Sequence, residues 1–164
     1  MKQINKYILE HVENSNFSIV ERLHINKDIG NHYNYHPTTK DELKELVNKL
    51  MKERGNNADL NDIDTSEITN MYALFYDSFF NGDISKWDVS NVKNMSFMFF
   101  NSNFNGDISN WNVSNVENMG TMFQYSEFTG ENGDISNWDV SNVKNMYHMF
   151  YKSPLEKNPP KWYK

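Results

Sequence analysis

The residues best suited to chemistry in this 164-residue chain are a few histidines and a recurring aspartate. His32 and His36 are four residues apart, and on a helix this spacing would turn both imidazoles toward one metal ion. Pro37 and the intervening tyrosines favour an edge strand instead, and a helical zinc motif would also need a glutamate beside the first histidine. We therefore predict no metal at this pair.

An aspartate recurs in register at Asp83, Asp107 and Asp134. Neighbouring strands of stacked coils lie about 4.8 Å apart, so such a column could hold a cation between coils. Calcium, however, takes about six to eight oxygen ligands, and no calcium-loop spacing is present. We favour the alternative, in which each carboxylate accepts backbone N–H bonds within its own turn.

Catalysis has little support among the other side chains. The chain has no cysteine, which excludes disulfides, a thiolate nucleophile and a cysteine-based zinc site. His11, His24 and His148 have no serine or aspartate partner in a recognisable nucleophile motif. A phosphate-binding loop is also missing. We predict a protein that is not an enzyme and that carries no cofactor.

Charge and hydropathy narrow the choice of partners. A net charge of −6 and a pI near 5.3 disfavour nucleic acid, whose phosphates attract basic surfaces. The longest apolar run near the N-terminus is Tyr7-Ile8-Leu9. A signal peptide needs about 7–15 apolar residues and a membrane span about 20. We expect no membrane association and a cytoplasmic location.

A tandem repeat of about two dozen residues must position any site that the chain has. The segment that begins at Gly82 returns at Gly106 and Gly133, and a degenerate copy precedes them. All four tryptophans fall in one register: Trp87, Trp111, Trp138 and Trp162. The repeat region 58–155 divides into coils near 58–81, 82–105, 106–132 and 133–155. Because one coil buries too little apolar surface to offset its ordering entropy, the coils must stack.

Two apolar patterns predict the elements of each coil. Trp87 and Val89 flank the polar Asp88, which is the alternation of a strand. The following apolar residues have the i, i+3, i+4 spacing of a helical turn or two: Met95, Met98 and Phe99. Asn-Gly pairs punctuate the coils, since both residues tolerate positive φ. The predicted fold is an α/β solenoid, a short leucine-rich-repeat-like stack of about four coils.

The two ends are predicted to cap this stack. Residues 1–57 should form a helical N-terminal cap, whose first helix has one apolar face: Ile4, Tyr7, Ile8 and Val12. A second helix is predicted over 40–54, with a capping box of Thr39 and Glu42 and with Gly55 at its end. Residues 156–164 should form a C-terminal cap, in which Pro159 and Pro160 stop further strand addition.

Two sets of side chains are candidates for partner binding. One is a polar row expected to project from the strands, for which a merely solvated face is the alternative: Asp64, Asp88, Asn112 and Asp139. The other lies at positions that differ between coils and that are rich in aromatics, as protein interfaces are. The candidates there are Tyr72, Phe97, Tyr147 and His148. The alternative is that half of these aromatics tuck into neighbouring coils.

The string NGDISNWDVSNVxNMxxMF resembles the repeat of bacterial surface proteins related to the BspA-like leucine-rich repeats, over about 59–155. The resemblance implies adhesion at a cell surface, although this chain shows no recognisable signal, anchor or long array. It also implies short forms carried by bacteriophages and mobile elements. We predict a non-catalytic interaction module that binds a host or partner protein. The alternative is a surface or extracellular adhesin fragment exported by an unrecognised route.

Overall fold

The computed structural model describes residues 33–164, in which regular secondary structure is sparse. One α-helix, α1, covers Lys40–Arg54, and a short 3-10 helix covers Pro154–Glu156. The described residues form no strand and no sheet. The predicted α/β solenoid of leucine-rich-repeat type is therefore wrong, because the repeats are built from hydrogen-bonded turns. Neither helix of residues 33–164 has the length and apolar character that a membrane span requires.

Several sequence predictions concern residues outside the described part of the chain. These are the first capping helix and three of the histidines: Ile4, Tyr7, Ile8, Val12, His11, His24 and His32. The predicted edge strand around Tyr35 is reduced, in the described residues, to one parallel bridge between Tyr35 and Ile63.

Helix α1 begins and ends where the sequence predicts. The Glu42 N–H donates to the Thr39 hydroxyl at 3.2 Å, and the Thr39 N–H donates to the Glu42 carboxylate at 3.2 Å, which completes the capping box. Hydrogen bonds from Thr38 and Thr39 hold the pKa of Glu42 below its ordinary value. At the other end the Gly55 N–H donates to the Met51 carbonyl at 2.9 Å, with φ of 87°. The apolar stripe is buried: Leu43, Leu46, Val47 and Leu50.

Apolar residues three apart close the turns of each repeat. In the second repeat the Trp87 N–H donates to the Ile84 carbonyl at 3.1 Å, and the Val92 N–H donates to the Val89 carbonyl at 2.9 Å. Such i to i+3 bonds reverse the chain, so both apolar members of a pair enter the core while polar residues between them stay outside. The alternation of Trp87 and Val89 around Asp88 therefore arises from successive turns, and the strand interpretation of it is wrong.

The predicted helical turns after Asn94 are also turns of a different kind. The Met98 N–H does donate to the Met95 carbonyl, at 3.2 Å. However, Phe97 and Asn101 have φ of 59° and 48°, in the left-handed region. A positive φ interrupts a right-handed helix. Alternate N–H groups consequently point toward the next repeat instead of back along a helix.

These N–H groups build a backbone ladder between repeats. Between the second and third repeats the donors are Met95, Phe97, Phe99 and Asn101. The acceptors are the carbonyls of Asn118, Gly120, Met122 and Gln124, at 2.9–3.1 Å. The first and second repeats, and the third and fourth, are joined by the same four bonds. All of them run in one direction, so each repeat has a carbonyl edge on one side and an N–H edge on the other.

Stacked aromatic rings fill the core beside the ladder. Centroids of Phe75, Phe99, Phe123 and Phe150 lie 5.5, 5.4 and 5.8 Å apart in successive repeats. Each tryptophan donates its Nε1–H to a carbonyl of the preceding repeat, at 2.9–3.2 Å. The predicted tryptophan register is confirmed and includes the last tryptophan, since the rings of Trp138 and Trp162 stack at 6.3 Å.

The glycines that open the repeats are required for space and not for positive φ. Among the described glycines only Gly55 and Gly130 have positive φ. A Cβ on Gly82 would lie 2.0 Å from the Ala58 carbonyl oxygen, and one on Gly133 would lie 2.2 Å from Asp107 Oδ1. The backbones of neighbouring repeats thus approach too closely for a side chain at these positions.

Different segments pack at the two ends of the stack. At the carbonyl edge of the first repeat, the Lys44 Nζ of α1 donates to the Leu74 carbonyl. At the other end Trp162 and Tyr163 pack against the core, and the Tyr163 N–H donates to the Pro160 carbonyl at 2.9 Å. The predicted role of the two prolines in stopping a strand does not apply, because the described residues contain no strand to extend.

Candidate partner-binding surface

Eight rings from the four repeats form one continuous chain of contacts. We name them the aromatic surface: Tyr72, Tyr76, Phe97, Phe100, Tyr125, Tyr147, His148 and Tyr151. Centroids of consecutive rings are 3.9–6.5 Å apart. Much of this area is open to solvent, with Tyr76 43 % exposed and Tyr147 69 % exposed. The structure therefore brings four sequence-predicted candidates onto one surface: Tyr72, Phe97, Tyr147 and His148.

Residues with a left-handed backbone conformation direct side chains of this surface away from the core. Two columns of residues have positive φ, namely Ala73, Phe97, Thr121 and His148, and then Asp77, Asn101, Tyr125 and Lys152. None of these side chains is buried. A left-handed conformation costs a non-glycine residue about 1–2 kcal/mol, and the ladder bonds on both sides hold it in place. Sequence reasoning singled out the first column and missed the second. The 24-residue register that aligns Asp77, Asn101 and Tyr125 was the available signal.

Lysines lie over rings at both ends of the aromatic surface. Lys40 Nζ is 5.9 Å from the Tyr72 ring centroid, and Lys152 Nζ is 5.3 Å and 5.4 Å from those of Tyr125 and Tyr151. These distances fall within the range of cation–π attraction, about 6 Å. The surface therefore combines apolar ring faces with positive charge at its ends, in a chain whose net charge is −6.

The predicted polar row takes part in turns. Asp88 Oδ1 accepts the Ser90 N–H at 2.9 Å, and Asp139 Oδ1 accepts the Ser141 N–H at 3.0 Å. Asp64 and Asn112 make the equivalent bonds in their own repeats. The bonds from the Ser141 side chain and N–H hold the pKa of Asp139 below its ordinary value. Every member of the row thus has a structural role of its own.

The aspartates that could have formed a cation column also serve their own turns. Asp83, Asp107 and Asp134 accept the N–H groups of Ser85, Ser109 and Ser136 at 2.8–2.9 Å, as the favoured interpretation predicts. In the part of the chain from residue 33 onward, no three acidic or histidine side chains are grouped to hold a metal ion. His36 Nδ1 lies 3.2 Å from Asp64 Oδ2. This imidazole therefore already has a carboxylate of the first repeat as its partner.

An ion pair fastens the end of α1 to the first repeat. Arg54 Nη1 and Nη2 donate to the two carboxylate oxygens of Asp62 at 2.9 and 3.0 Å. Burial raises the pKa of Asp62, but the hydrogen bonds from Arg54 and Asn34 outweigh it, so this pKa lies below its ordinary value of 3.8. The Asn34 amide nitrogen is 2.9 Å from the same carboxylate. Helix and repeats are therefore held together by charge as well as by the apolar stripe.

A cleft of about 350 Å³ lies at the end of the stack, remote from α1. Its lining includes Thr129, Asp134, Leu155, Pro159 and Lys161. The Asp134 carboxylate in this lining already accepts the Ser136 N–H. The cleft thus has a mixed polar and apolar lining, contributed by the last two repeats and the C-terminal segment.

The repeats have a counterpart among known protein families. Residues 41–162 match the family described as “Mycoplasma protein of unknown function, DUF285”. No curated protein and no solved structure matches the chain. The matched segment contains α1 from Asp41 onward and all four repeats, and it is most of the 164 residues. The chain therefore belongs to the DUF285 family.

Proposed function

We propose that this chain is a non-catalytic interaction module that binds a partner protein through the aromatic surface. The supporting observation is the uninterrupted chain of contacts among eight rings, which crosses all four repeats and stays accessible to solvent. Exposed tyrosines and phenylalanines are enriched in protein interfaces, where they bury large areas at small entropic cost. Scattered exposed aromatics are ordinary, whereas a contiguous patch indicates a binding site.

Area favours the aromatic surface over the polar row. A standard interface takes about 800 Å² from each partner. A ring-bearing side chain offers roughly 150–250 Å² when fully exposed. Eight partly exposed rings therefore supply several hundred Å², which is a large part of one face. The polar row offers only short side chains whose oxygens already accept N–H bonds, as Asp88 does from Ser90.

A relationship to the BspA-like surface repeats is part of the same proposal. It is supported by the repeated string NGDISNWDVSNV and by the membership of the DUF285 family. We also propose that the chain meets its partner in the cytoplasm. Fractionation of the producing cells into cytosol and culture supernatant would test this location.

The proposal can be tested by comparing affinity captures from cells that produce the protein. The double variant Phe97→Ala, Tyr147→Ala should lose partners that the unaltered chain retains, by about tenfold or more, as expected when two interface aromatics are truncated. Asp88→Lys should weaken the same partners only modestly and only at low salt, since exposed charges are screened. Quantitative mass spectrometry at two salt concentrations measures both effects.

Phe79 provides the matched control for lost aromatic area. It is 71 % exposed and makes no ring contact with the aromatic surface within the described residues. Phe79→Ala should therefore capture the same partners as the unaltered chain. Equal capture by the aromatic double variant, or a dominant effect of Asp88→Lys at high salt, would show that the binding surface is elsewhere.

A further inference from the structure

The ladder between repeats ends in a row of N–H groups at the fourth repeat. By register, its donors are the N–H groups of Met146, His148, Phe150 and Lys152. The Lys152 N–H donates to the Glu156 carboxylate at 3.1 Å. Within residues 33–164 the N–H groups of Met146, His148 and Phe150 have no hydrogen-bond acceptor. Their equivalents in the third repeat, at Met119, Thr121 and Phe123, all donate to the fourth repeat at 2.8–2.9 Å.

An incompletely covered apolar row accompanies these free donors. Val140, Val143 and Met146 of the fourth repeat are only partly buried. Their equivalents in the second and third repeats are each at most 1 % exposed: Val89, Val92, Met95, Val113, Val116 and Met119. The first repeat is covered as well, since Thr65, Ile68 and Met71 are at most 1 % exposed. Donors and apolar surface are thus left open together, at one end of the stack.

The interior interfaces show what fits such an edge. Each N–H edge between repeats is covered by a segment that supplies four alternate carbonyls, as Asn118, Gly120, Met122 and Gln124 do. The covering segment also brings its own buried valine and methionine side chains, such as Val116 and Met119. The same combination would complete the fourth repeat.

The direction of the ladder argues against a second copy of this chain. Two N–H edges cannot pair with each other, because both present donors. A head-to-tail contact would need the carbonyl edge of the first repeat, where Lys44 of α1 donates to the Leu74 carbonyl. Burial, and to a smaller extent the positive charge of Lys40, lower the pKa of Lys44, as expected for an ammonium group enclosed at this edge. A second copy would have to displace α1 to bind.

We propose that the open N–H edge of the fourth repeat docks a polypeptide segment of this repeat type, supplied by another protein with an uncovered carbonyl edge. The segment adds a fifth set of turns: its carbonyls accept the N–H groups of Met146, His148 and Phe150, and its apolar side chains cover Val143 and Met146. Backbone bonds supply affinity and the apolar positions supply specificity, as in other cases of augmentation by an added segment. The edge shares His148 with the aromatic surface, but this proposal does not depend on the function proposed above.

Hydrogen exchange on the full-length chain tests the edge directly. In the free protein the amides of Met146, His148 and Phe150 should exchange about a hundredfold faster than those of Met119, Thr121 and Phe123, since open amides lack protection. A synthetic peptide of residues 106–129, which carries the four ladder carbonyls of the third repeat, should then slow exchange at the three open amides about tenfold or more. Equal protection in the free chain would overturn the proposal, because the donors would already be satisfied.

Fluorescence anisotropy of the labelled peptide provides the second measurement. The peptide should bind the full-length chain, a scrambled peptide of the same composition should not, and Val143→Asp with Met146→Asp should weaken binding about tenfold or more. Phe79→Asp is the matched control, since it adds a charge at an exposed apolar site away from the edge, and it should bind normally. Absence of peptide binding, or equal binding of the scrambled peptide, would overturn the proposal. Protection that rises with protein concentration alone, with dimers in sedimentation, would assign the edge to a second copy instead.

Discussion

At the scale of single residues, the asparagines explain how short turns become a stack. The chain has 26 of them, and an amide can accept a bond in its own turn or donate one to a neighbouring repeat. Asn94 Oδ1 accepts the Ser96 N–H at 3.0 Å. Asn115 Nδ2 donates to the Ser90 carbonyl of the preceding repeat at 2.7 Å. Aspartate can replace the first kind of asparagine, as it does at Asp88, but an ionised aspartate cannot replace the second.

Asn115→Asp should therefore destabilise the fold although it changes no volume. The carboxylate cannot donate to the Ser90 carbonyl and places a negative charge beside it, which should cost about 1–2 kcal/mol at neutral pH. The difference should shrink at acid pH, where a protonated carboxyl can donate again. Urea denaturation at pH 7 and pH 3 measures it. Asn110→Asp is the control, because Asn110 is exposed and makes no hydrogen bond within residues 33–164. Equal losses in both variants would refute this role for Asn115.

Trp111 should be among the most sensitive core positions. It is 4 % exposed, its ring stacks near Phe99 at 6.3 Å, and its Nε1–H donates to the Ile84 carbonyl at 3.2 Å. Trp111→Ala should cost about 3–5 kcal/mol, as other large-to-small core substitutions do. Trp111→Phe keeps much of the packing and should cost less, about 1–3 kcal/mol for the unpaired carbonyl. Denaturant midpoints measure both, and equal costs would mean that the packing of the ring contributes nothing beyond the indole bond.

At the scale of elements, the sequence predicts α1 well and the repeat backbone poorly. Helix signals are local: Thr39 and Glu42 meet within one turn, and Gly55 follows the last apolar residue. The repeat signal is ambiguous, because Trp87 and Val89 flank a polar residue in a strand and also in two consecutive turns. The apolar pairs three apart, such as Ile84 with Trp87, do indicate turns. What no local pattern reveals is that ladder bonds to the next repeat force Phe97 into positive φ.

The candidate site was predictable in outline for a similar reason. Comparing equivalent positions of the repeats identifies Tyr72, Phe97 and Tyr147 as free to vary, and these positions do share a surface. The same comparison assigns no role to Tyr125, whose outward position depends on its φ of 59°. It also could not show that the oxygens of Asp64 and Asp88 are used in turns.

The ion pair between α1 and the first repeat should give the stability a defined pH dependence. The pKa of Asp62 in the folded chain lies below its ordinary value of 3.8. Its contribution is therefore fully present above about pH 4 and is lost as the pH falls through the lowered pKa. Asp62→Asn should cost about 1 kcal/mol at pH 7, and this difference should vanish well below pH 3.8. Paired denaturation curves from pH 7 to pH 2 measure it. An undiminished difference at pH 2 would assign the cost to something other than charge.

At the scale of the whole molecule, the stack is directional. Every ladder bond runs from an earlier repeat to a later one, so the two ends are chemically different. The carbonyl end meets the cationic Lys44, and the N–H end meets the carboxylate of Glu156. Each cap thus has the charge that the backbone groups at its end attract. Between the two ends, neighbouring repeats make nearly the same contacts. The fold should therefore tolerate a change in the number of repeats.

Duplicating residues 82–105 directly after Asn105 should therefore extend the stack without disturbing it. The first three repeats recur at intervals of 24 residues, so the inserted copy should form the same four ladder bonds on each side. Because each added repeat contributes one more interface between neighbours, stability should rise. The denaturant m-value should increase by roughly a fifth, in proportion to the added surface that unfolding exposes. Urea denaturation followed by tryptophan fluorescence and by circular dichroism measures both quantities. Two separate transitions, or a lower midpoint than that of the original chain, would show that the contacts between repeats are not interchangeable.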